Sequence, residues 1–353
     1  MDHSDTPLLS ALILTHNDEN YIEACLKGLL SIDYPNFEIC LLDDGSTDAT
    51  FAIASAFARS NQRPIIARTQ PPSGGRTSQN SQALLRMARG KYLLFMSGDD
   101  SLVANFAAAR IISEMEAHDN ITMAFPRIVH VNLDDCTRLE TIYTSEFQEL
   151  LRSGNPDEIY AKHLCKRVSR LFLQGAIARR SFVDDFGGFD TDLLADDYAF
   201  MVRAFAAMQG RKNKIIFASD NLCIYRIHNT SLHRNVSRQR DLVAEVVRKY
   251  IPAQYWAEFK MDYGFPKDIE DFQEICRHMI RYFGTIAEQH MVPRYAVQYA
   301  RSLLAKSDFA TLTSLLTLPQ TRWETWFYVL RNLYWALPYP AVRWWKARNI
   351  RTN

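Results

Sequence analysis

Pairs of aspartates follow short, mainly apolar segments at two places in this sequence. One pair is Asp43-Asp44, and the other is Asp99-Asp100, which comes directly after Gly98. Carboxylates at such positions can hold a hard divalent cation or accept hydrogen bonds from a ribose or a base. An aspartate-rich turn that caps the following helix is the other interpretation. For either pair alone, both interpretations are open.

Two further groups could take part in chemistry, but each also has a simple structural interpretation. Asp196-Asp197 begins a predicted helix, where negative charge is favourable at the positive helix end. His228 follows a predicted strand and could ligate a metal, although a single histidine is more often a hydrogen-bonded structural residue. The groups gain meaning only if the fold brings them together.

The first hundred residues alternate between apolar, strand-like runs and segments with helical spacing. Such alternation predicts an α/β fold in which parallel strands are flanked by helices. Ligands bind beyond the carboxyl ends of strands in these sheets, so the polar clusters should converge on one crevice. The predicted strands are residues 8–14, 37–42, 64–67 and 91–96.

The pattern continues less regularly to about residue 236. We predict a helix to about residue 118, an irregular polar stretch after a strand at 121–131, and a helix at 196–208. Further strands are predicted at 171–178, 214–218 and 222–227. Beyond about residue 240 only helical patterns separated by prolines occur. We therefore predict two domains, residues 1–236 and a helical region, residues 237–353.

The charge balance limits the partners of the protein. Lys and Arg number 41 against 40 Asp and Glu, which gives a net charge of +1, so no global field would gather nucleic acid. The N-terminal residues do not resemble a signal peptide, and no segment reaches the roughly 18 apolar residues of a membrane-spanning helix. We expect a cytoplasmic protein, with peripheral contact at the inner face of the membrane as an open alternative.

The order of the motifs resembles that of the family 2 glycosyltransferases over residues 8 to about 233. The resemblance implies a GT-A fold, a Rossmann-related mixed sheet flanked by helices. The matching motifs are Thr15-His16-Asn17, the run from Tyr34 through Asp43-Asp44-Gly45-Ser46, Gly98-Asp99-Asp100, Gly187-Gly188-Phe189-Asp190 with Asp196-Asp197 and Arg203, and Tyr225-Arg226-Ile227-His228.

This resemblance implies a role for each group of residues. The nucleotide-sugar site would be formed by Thr15, His16, Asn17, Asp43, Asp44, Gly98 and Asp99. Asp99 and His228 would help to bind Mn²⁺ or Mg²⁺ on the diphosphate. Asp197 would be the general base, and one base with one displacement implies inversion at the anomeric carbon. Gly175, Ala176 and Asp196 would border the acceptor.

The implied reaction is transfer of a sugar from a nucleoside diphosphate, with a UDP-sugar as the expected donor. The acceptor would be a hydroxyl of a saccharide or of a lipid-linked molecule in surface polysaccharide or glycan biosynthesis. Three positions depart from the family pattern: Ser97 replaces the first aspartate of the DxD motif, His16 replaces an aromatic residue, and residues 79–82 differ from Arg-Asn-x-Gly.

Alternatives from other classes remain open. A catalytically silent nucleotide-sugar binding or assembly protein would keep the pockets around Asp44 and Asp99 but would not need Asp197. A nucleotidyltransferase also needs a metal at a strand end. A dinucleotide-dependent oxidoreductase is disfavoured because Thr15-His16-Asn17 stands where a GxGxxG loop would open the first βα unit.

The C-terminal segment 321–353 combines tryptophan with positive charge. It has six basic residues against Glu324 alone and five of the six tryptophans in the chain. Its apolar stripe could rest on an anionic membrane, pack on the catalytic domain or join two subunits as a homo-oligomer.

Overall fold

The computed structural model describes residues 6–103, 106–132, 139–141, 143–166, 171–194, 197–228 and 236–258. The predicted helical region is described only as far as residue 258, so the Trp- and Arg-rich segment 321–353 and its interpretations lie outside the described residues. Asp196 lies outside them as well. The described residues from 6 to 130 and from 143 to 258 belong to one compact unit. The boundary near residue 236 stays a prediction.

The strands have mostly buried side chains, because both faces of their sheet are covered. The described strands are β1 Leu9–Thr15, β2 Phe37–Asp43, β3 Ile65–Thr69, β4 Tyr92–Ser97, β5 Ser101–Leu102, β6 Ile121–Asn132, β7 Leu139–Thr141, β8 Ile177–Arg179 and β9 Lys214–Ile227.

The helices connect these strands or follow them. The described helices are α1 Ile22–Leu30, α2 Thr50–Ser60, α3 Thr77–Met87, α4 Ala108–Ala117, α5 Ser145–Arg152, α6 Pro156–Ile159, α7 Arg180–Asp185, α8 Asp197–Met208 and α9 Val236–Tyr250, with a π-helical turn at Tyr160–Leu164 and a 3₁₀ helix at Ala253–Glu258. Among the residues described, no helix has the length and apolar character that crossing a membrane requires.

Strand order places the predicted polar clusters at one edge. The sheet runs β3-β2-β1-β4-β8-β6-β9-β5. Strands β1, β2, β3 and β4 are parallel, whereas β8 is antiparallel to β4 and β6. In the register, Thr15 lies opposite Asp43, and Leu14 lies opposite Ser97. The predicted α/β class, a mixed sheet flanked by helices, is therefore confirmed.

The sequence-based boundaries are wrong in three places of the second half. Residues 171–178 are not one strand: Gly175 has φ +76°, outside the extended region, and β8 begins only at Ile177. The two strands predicted at 214–218 and 222–227 are a single strand, β9. The stretch after β6 is not irregular throughout, since α5, α6 and the π-helical turn lie there.

Contacts with α4 and with the residue before it accompany the continuity of β9. Asp220 and Asn221 look like a turn in the sequence, but both use their polar side chains to hold neighbouring elements. Asp220 forms an ion pair with Arg110 of α4, and Asn221 Oδ1 accepts a hydrogen bond from the backbone N–H of Ala107 at 3.0 Å. The backbone stays extended through this pair.

Candidate functional site

The loop after β1 fixes a carboxylate that the sequence analysis did not single out. Asp18 is 7% exposed. Its Oδ2 accepts hydrogen bonds from Thr15 Oγ1 at 2.7 Å and from the backbone N–H of His16 at 3.1 Å. Its own backbone N–H donates to Thr50 Oγ1 at 2.7 Å. The carboxylate is thus held at the carboxyl end of β1.

Gly98 lets the end of β4 lie directly against this loop. A Cβ at Gly98 would lie 2.7 Å from Asp18 Oδ2 and would also clash with Thr15. The Gly98 backbone N–H donates to the carbonyl of Leu14 at 2.9 Å. Because glycine permits this approach, the next residue, Asp99, comes close to Asp18.

A buried arginine at the end of β9 anchors the Asp99-Asp100 turn. Arg226 is 1% exposed, and its Nη1 donates to the carbonyl of Asp99 at 3.0 Å. The Arg226 backbone N–H donates to Asp100 Oδ1 at 2.9 Å. Burial, and then the neighbouring Asp99 carboxylate, raise the pKa of Asp100 well above its ordinary value, while Arg226 opposes this. Asp100 is therefore an internal support of the turn.

Asp18, Asp99 and His228 form a three-residue cluster of metal-ligand type. One ligand atom from each lies within 4.8 Å of the others. His228 Nε2 is 3.1 Å from Asp99 Oδ2, and the His228 ring packs on Tyr21 with centroids 4.6 Å apart. Burial, and then the charge of Asp99, raise the pKa of Asp18 to about 7.

These residues fit a divalent cation. The buried Asp18 carboxylate and the partly exposed Asp99 carboxylate repel each other, and a cation between them would remove that cost. Carboxylate oxygens with an imidazole nitrogen suit Mn²⁺, and Mg²⁺ accepts the carboxylates. Asp99 and His228 were predicted from the sequence as metal ligands, whereas Asp18 was not. The only signal for Asp18 was its position directly after the Thr15-His16-Asn17 loop.

His16 and Asn17 join the loop after β1 to the loop after β2. His16 Nδ1 is 2.8 Å from the carbonyl oxygen of Asp44. Asn17 has φ 56°, a left-handed conformation that asparagine tolerates better than most residues. Asn17 Oδ1 accepts from the Thr47 backbone N–H at 2.9 Å, and the Asn17 backbone N–H donates to Ser46 Oγ at 2.8 Å. Nucleotide contact by these residues stays a prediction.

Asp43 is engaged in holding its own turn. It is 1% exposed and accepts hydrogen bonds from Thr69 Oγ1 at 2.7 Å and from the Ser46 backbone N–H at 3.2 Å. A nucleotide role for this carboxylate stays a prediction. In this structure Asp43 connects the ends of β2 and β3.

Asp44 faces the segment after β3. Its Oδ2 accepts from Ser73 Oγ at 2.7 Å, and its Oδ1 accepts from the Ser73 backbone N–H at 2.9 Å and from Gln70 Nε2 at 3.1 Å. Burial by itself would raise the pKa of Asp44, but these hydrogen bonds outweigh it and hold the pKa below its ordinary value. Asp44 is therefore an ionised acceptor, as a ribose or base contact requires.

Asp197 begins α8 and borders a pocket near the end of β4. Asp197 Oδ2 accepts a hydrogen bond from Gln174 Nε2 at 3.0 Å, and the same nitrogen is 3.3 Å from Ser97 Oγ. Ser97 is two residues before Asp99, so Asp197 and the metal-type cluster flank the same strand end. The pocket is lined by Leu12, Leu14, Ser81, Leu84, Phe95, Met96, Ser97, Leu173, Gln174, Phe189 and Asp197.

The residues predicted to border an acceptor lie deeper than expected. Gly175 has positive φ, and a Cβ there would lie 2.8 Å from Pro126. Ala176 is fully buried, and its carbonyl accepts from the Phe95 backbone N–H at 3.1 Å. Neither is among the residues that line the pocket. Their predicted acceptor contact stays a prediction.

A mixed sheet flanked by helices, with carboxylates gathered at the strand ends, is the architecture of a GT-A domain. Residues 10–184 match the model of the family described as Glycosyl transferase family 2. The recognition made from the sequence motifs is confirmed.

Curated relatives support the same family. The chain is 24% identical over 307 residues to glycosyltransferase GlyG of Streptococcus pneumoniae, covering 80% of this chain and 97% of that protein. It is 25% identical to the putative glycosyltransferase EpsH of Bacillus subtilis, covering 51% of this chain and 49% of EpsH. A match at 30% identity to an uncharacterized Mycobacterium tuberculosis protein covers 53% of this chain and 58% of that protein. The chain thus spans about half the length of the last two relatives.

Solved structures confirm the fold. Residues 1–349 of Staphylococcus aureus TarS in complex with UDP-GlcNAc align with a TM-score of 0.52 and 18% identity, covering 94% of this chain and 82% of that chain. The mannosyltransferase PcManGT of Pyrobaculum calidifontis, in complex with GDP-Man and Mn²⁺, aligns with a TM-score of 0.52 and 20% identity, covering 95% of this chain and 87% of that chain.

Proposed function

We propose that this protein transfers a sugar from a nucleoside diphosphate sugar to a hydroxyl acceptor, with inversion and with help from a divalent cation. The observation that carries the proposal is the convergence of Asp18, Asp99 and His228 on one side of the end of β4, with Asp197 near the same end. The family match indicates the reaction class, and the positions of these side chains support the roles that we propose for them.

In the proposed reaction, Asp197 accepts the proton of the acceptor hydroxyl as its oxygen attacks the anomeric carbon. The new C–O bond forms on the face opposite the diphosphate, the old C–O bond breaks, and its electron pair leaves with the nucleoside diphosphate. Asp18, Asp99 and His228 would hold Mn²⁺ or Mg²⁺, which would offset the charge of the departing diphosphate. Asp44, kept ionised by Ser73 and Gln70, would accept hydrogen bonds from the nucleoside.

The donor we propose is a UDP-sugar, and the acceptor is a saccharide or lipid-linked hydroxyl used in glycan or surface polysaccharide assembly. The structural neighbours support the donor class, since TarS was solved with UDP-GlcNAc and PcManGT with GDP-Man and Mn²⁺. Both nucleotides therefore belong in the first test.

The first test is thermal stabilisation of the purified chain by UDP-, GDP-, dTDP- and CMP-sugars, each with and without Mn²⁺. We expect a metal-dependent rise in Tm with the sugars of one nucleotide, and we expect that nucleotide to be UDP. The absence of any shift would contradict the proposed donor site. A shift without turnover would favour a silent nucleotide-sugar binding protein.

The second test separates binding from catalysis with Asp197→Asn. The amide keeps the shape and can still accept the hydrogen bond from Gln174, but it cannot take a proton. We expect donor-induced stabilisation to persist and turnover to fall by about 10²- to 10⁴-fold. Asp192→Asn, at an exposed aspartate shortly before α8, is the matched control and should retain activity. Full activity of Asp197→Asn would refute the assignment of the base.

A further inference from the structure

Gln174 occupies a rigid position between the end of β4 and the start of α8. The backbone on its C-terminal side is tied to β4, because the Gly175 N–H donates to the carbonyl of Phe95 at 2.7 Å and the Phe95 N–H donates to Ala176. The Gln174 side chain is buried, with the residue 7% exposed. The turn that carries its carboxamide is therefore hydrogen-bonded to β4.

The carboxamide nitrogen connects the proposed base to the strand end. Gln174 Nε2 donates to Asp197 Oδ2 at 3.0 Å and lies 3.3 Å from Ser97 Oγ. A primary amide has two N–H groups, so one nitrogen can serve both acceptors. The opposite amide orientation would place Oε1 against the Asp197 carboxylate, where two acceptors would repel. The contact therefore fixes the orientation of both side chains.

Folding stability alone does not explain this arrangement. Gln174 Oε1 is buried and accepts no hydrogen bond from the described residues. A buried carbonyl oxygen without a partner is destabilising, and such groups in native structures are often associated with function. Gln174 and Asp197 also line the same pocket, together with Ser97.

We propose that Gln174 is a positioning residue: its Nε2 hydrogen bond holds the Asp197 carboxylate in the orientation that receives the acceptor proton. The inference rests on the proposed function, since it takes Asp197 as the base. Gln174 acts through Asp197 and takes no proton itself. Its loss should therefore reduce turnover while leaving donor binding intact.

The test uses Gln174→Met, which keeps the length of the side chain and removes the amide. The assay is release of nucleoside diphosphate from the best donor of the thermal-shift panel, with water as acceptor and Mn²⁺ present. We expect kcat to fall by about 10- to 100-fold, because small misplacements of a reacting group have effects of this size. The KM for the donor and the donor-induced rise in Tm should stay within about twofold of the wild type.

Gln148→Met is the matched control. Gln148 is a similarly buried glutamine, 6% exposed, in α5, where it binds Arg152 and the carbonyl of Tyr143. A loss of kcat in this variant equal to that of Gln174→Met would show a general packing effect and would overturn the proposal.

A double-mutant cycle with Asp197→Asn decides whether Gln174 acts through Asp197. If it does, adding Gln174→Met to Asp197→Asn should change the residual rate by less than about twofold. An equal fold-loss in both backgrounds would overturn the proposal, as would wild-type kcat in Gln174→Met alone. These results would leave the proposed function standing provided that Asp197→Asn shows the expected loss of about 10²- to 10⁴-fold in turnover. No nucleotide release by the wild type, or full activity of Asp197→Asn, would overturn the proposed function and this inference with it.

Discussion

Replacing Asp18 with asparagine should have opposite effects on the metal-free protein and on its response to metal. Asp18 and Asp99 place carboxylate oxygens within 4.8 Å of each other in a largely buried site. At that distance and an effective dielectric constant of about 20, two unit charges repel by about 3.5 kcal/mol. The neutral amide would remove this repulsion and still accept the hydrogen bonds from Thr15 and His16, so the metal-free Asp18→Asn protein should be the more stable one.

The gain in stability from Asp18→Asn depends on how far Asp18 is ionised in the wild type. Because the pKa of Asp18 is raised to about 7, part of the repulsion is avoided near neutral pH by protonation, so the comparison is best made at about pH 8. We expect Asp18→Asn to gain about 1–2 kcal/mol without metal, less than the full repulsion, because the Asp99 side chain is 26% exposed and solvent screens the pair. At about 2–4 °C per kcal/mol, Tm should rise by several degrees in EDTA.

The response to Mn²⁺ should change in the other direction. At a free Mn²⁺ concentration of about 100 times Kd, binding stabilises the wild type by about 2.7 kcal/mol. Losing one of two charged ligands should weaken binding at least about tenfold, which leaves about 1.4 kcal/mol or less at the same concentration. Differential scanning fluorimetry with EDTA and with Mn²⁺ measures both effects on the same samples.

Asp48→Asn is the control for simple neutralisation of a nearby acid. Asp48 accepts hydrogen bonds from the backbone N–H groups of Glu19 and Thr50, and its pKa is lowered because these and the Thr50 hydroxyl outweigh the effect of burial. Its loss should lower Tm and leave the Mn²⁺ response intact. An unchanged Mn²⁺ response in Asp18→Asn would show that Asp18 is not a ligand, and a lower metal-free Tm would refute the repulsion argument.

Two further predictions concern the supports of the site and of the sheet. Arg226→Met should lower the free energy of unfolding by about 3 kcal/mol in urea denaturation, because it removes the buried hydrogen bond to the Asp99 carbonyl and the positive charge beside Asp99 and Asp100; unchanged stability would contradict this reading. Glu38→Gln should cost about 1–3 kcal/mol at pH 7, because hydrogen bonds from Ser10 and Arg89 outweigh burial and hold the pKa of Glu38 below its ordinary value. The wild-type advantage should be fully present above the unfolded pKa of about 4.3 and disappear as pH falls through the lower folded pKa; an equal difference at pH 7 and pH 3 would refute it.

The first half of the fold could be predicted well from the sequence. Parallel strands covered on both faces appear as continuous apolar runs, and β1, predicted at 8–14, lies at Leu9–Thr15. The same logic was less reliable for the antiparallel part. Gly175 ended an apolar run that looked like one strand, while Asp220 and Asn221 gave a turn signal inside a continuous strand. In both places tertiary contacts outweighed the local pattern.

The residues of the candidate site could be predicted only in part, because some of them are brought together by the fold and follow no motif along the chain. Motif resemblance identified Asp99, His228 and Asp197, whose positions follow known patterns along the chain. Asp18 and Gln174 belong to no such pattern, and their importance depends on which side chains the fold places beside them. Asp18 lies 81 positions from Asp99 in the chain, yet the β1–β4 register brings the two together.

Asp18 and Gln174 together explain how the site can have Ser97 in place of the first aspartate of the DxD motif. An aspartate at that position would add a carboxylate beside Asp99, but Asp18 already supplies a second one from the loop after β1, and Gly98 gives it room. Ser97 accepts one N–H of the Gln174 amide through its neutral hydroxyl, while the other N–H makes the charge-assisted hydrogen bond to Asp197, which is the stronger of the two kinds. The change at Ser97 is thus compatible both with metal binding and with the hydrogen bond that holds the proposed base.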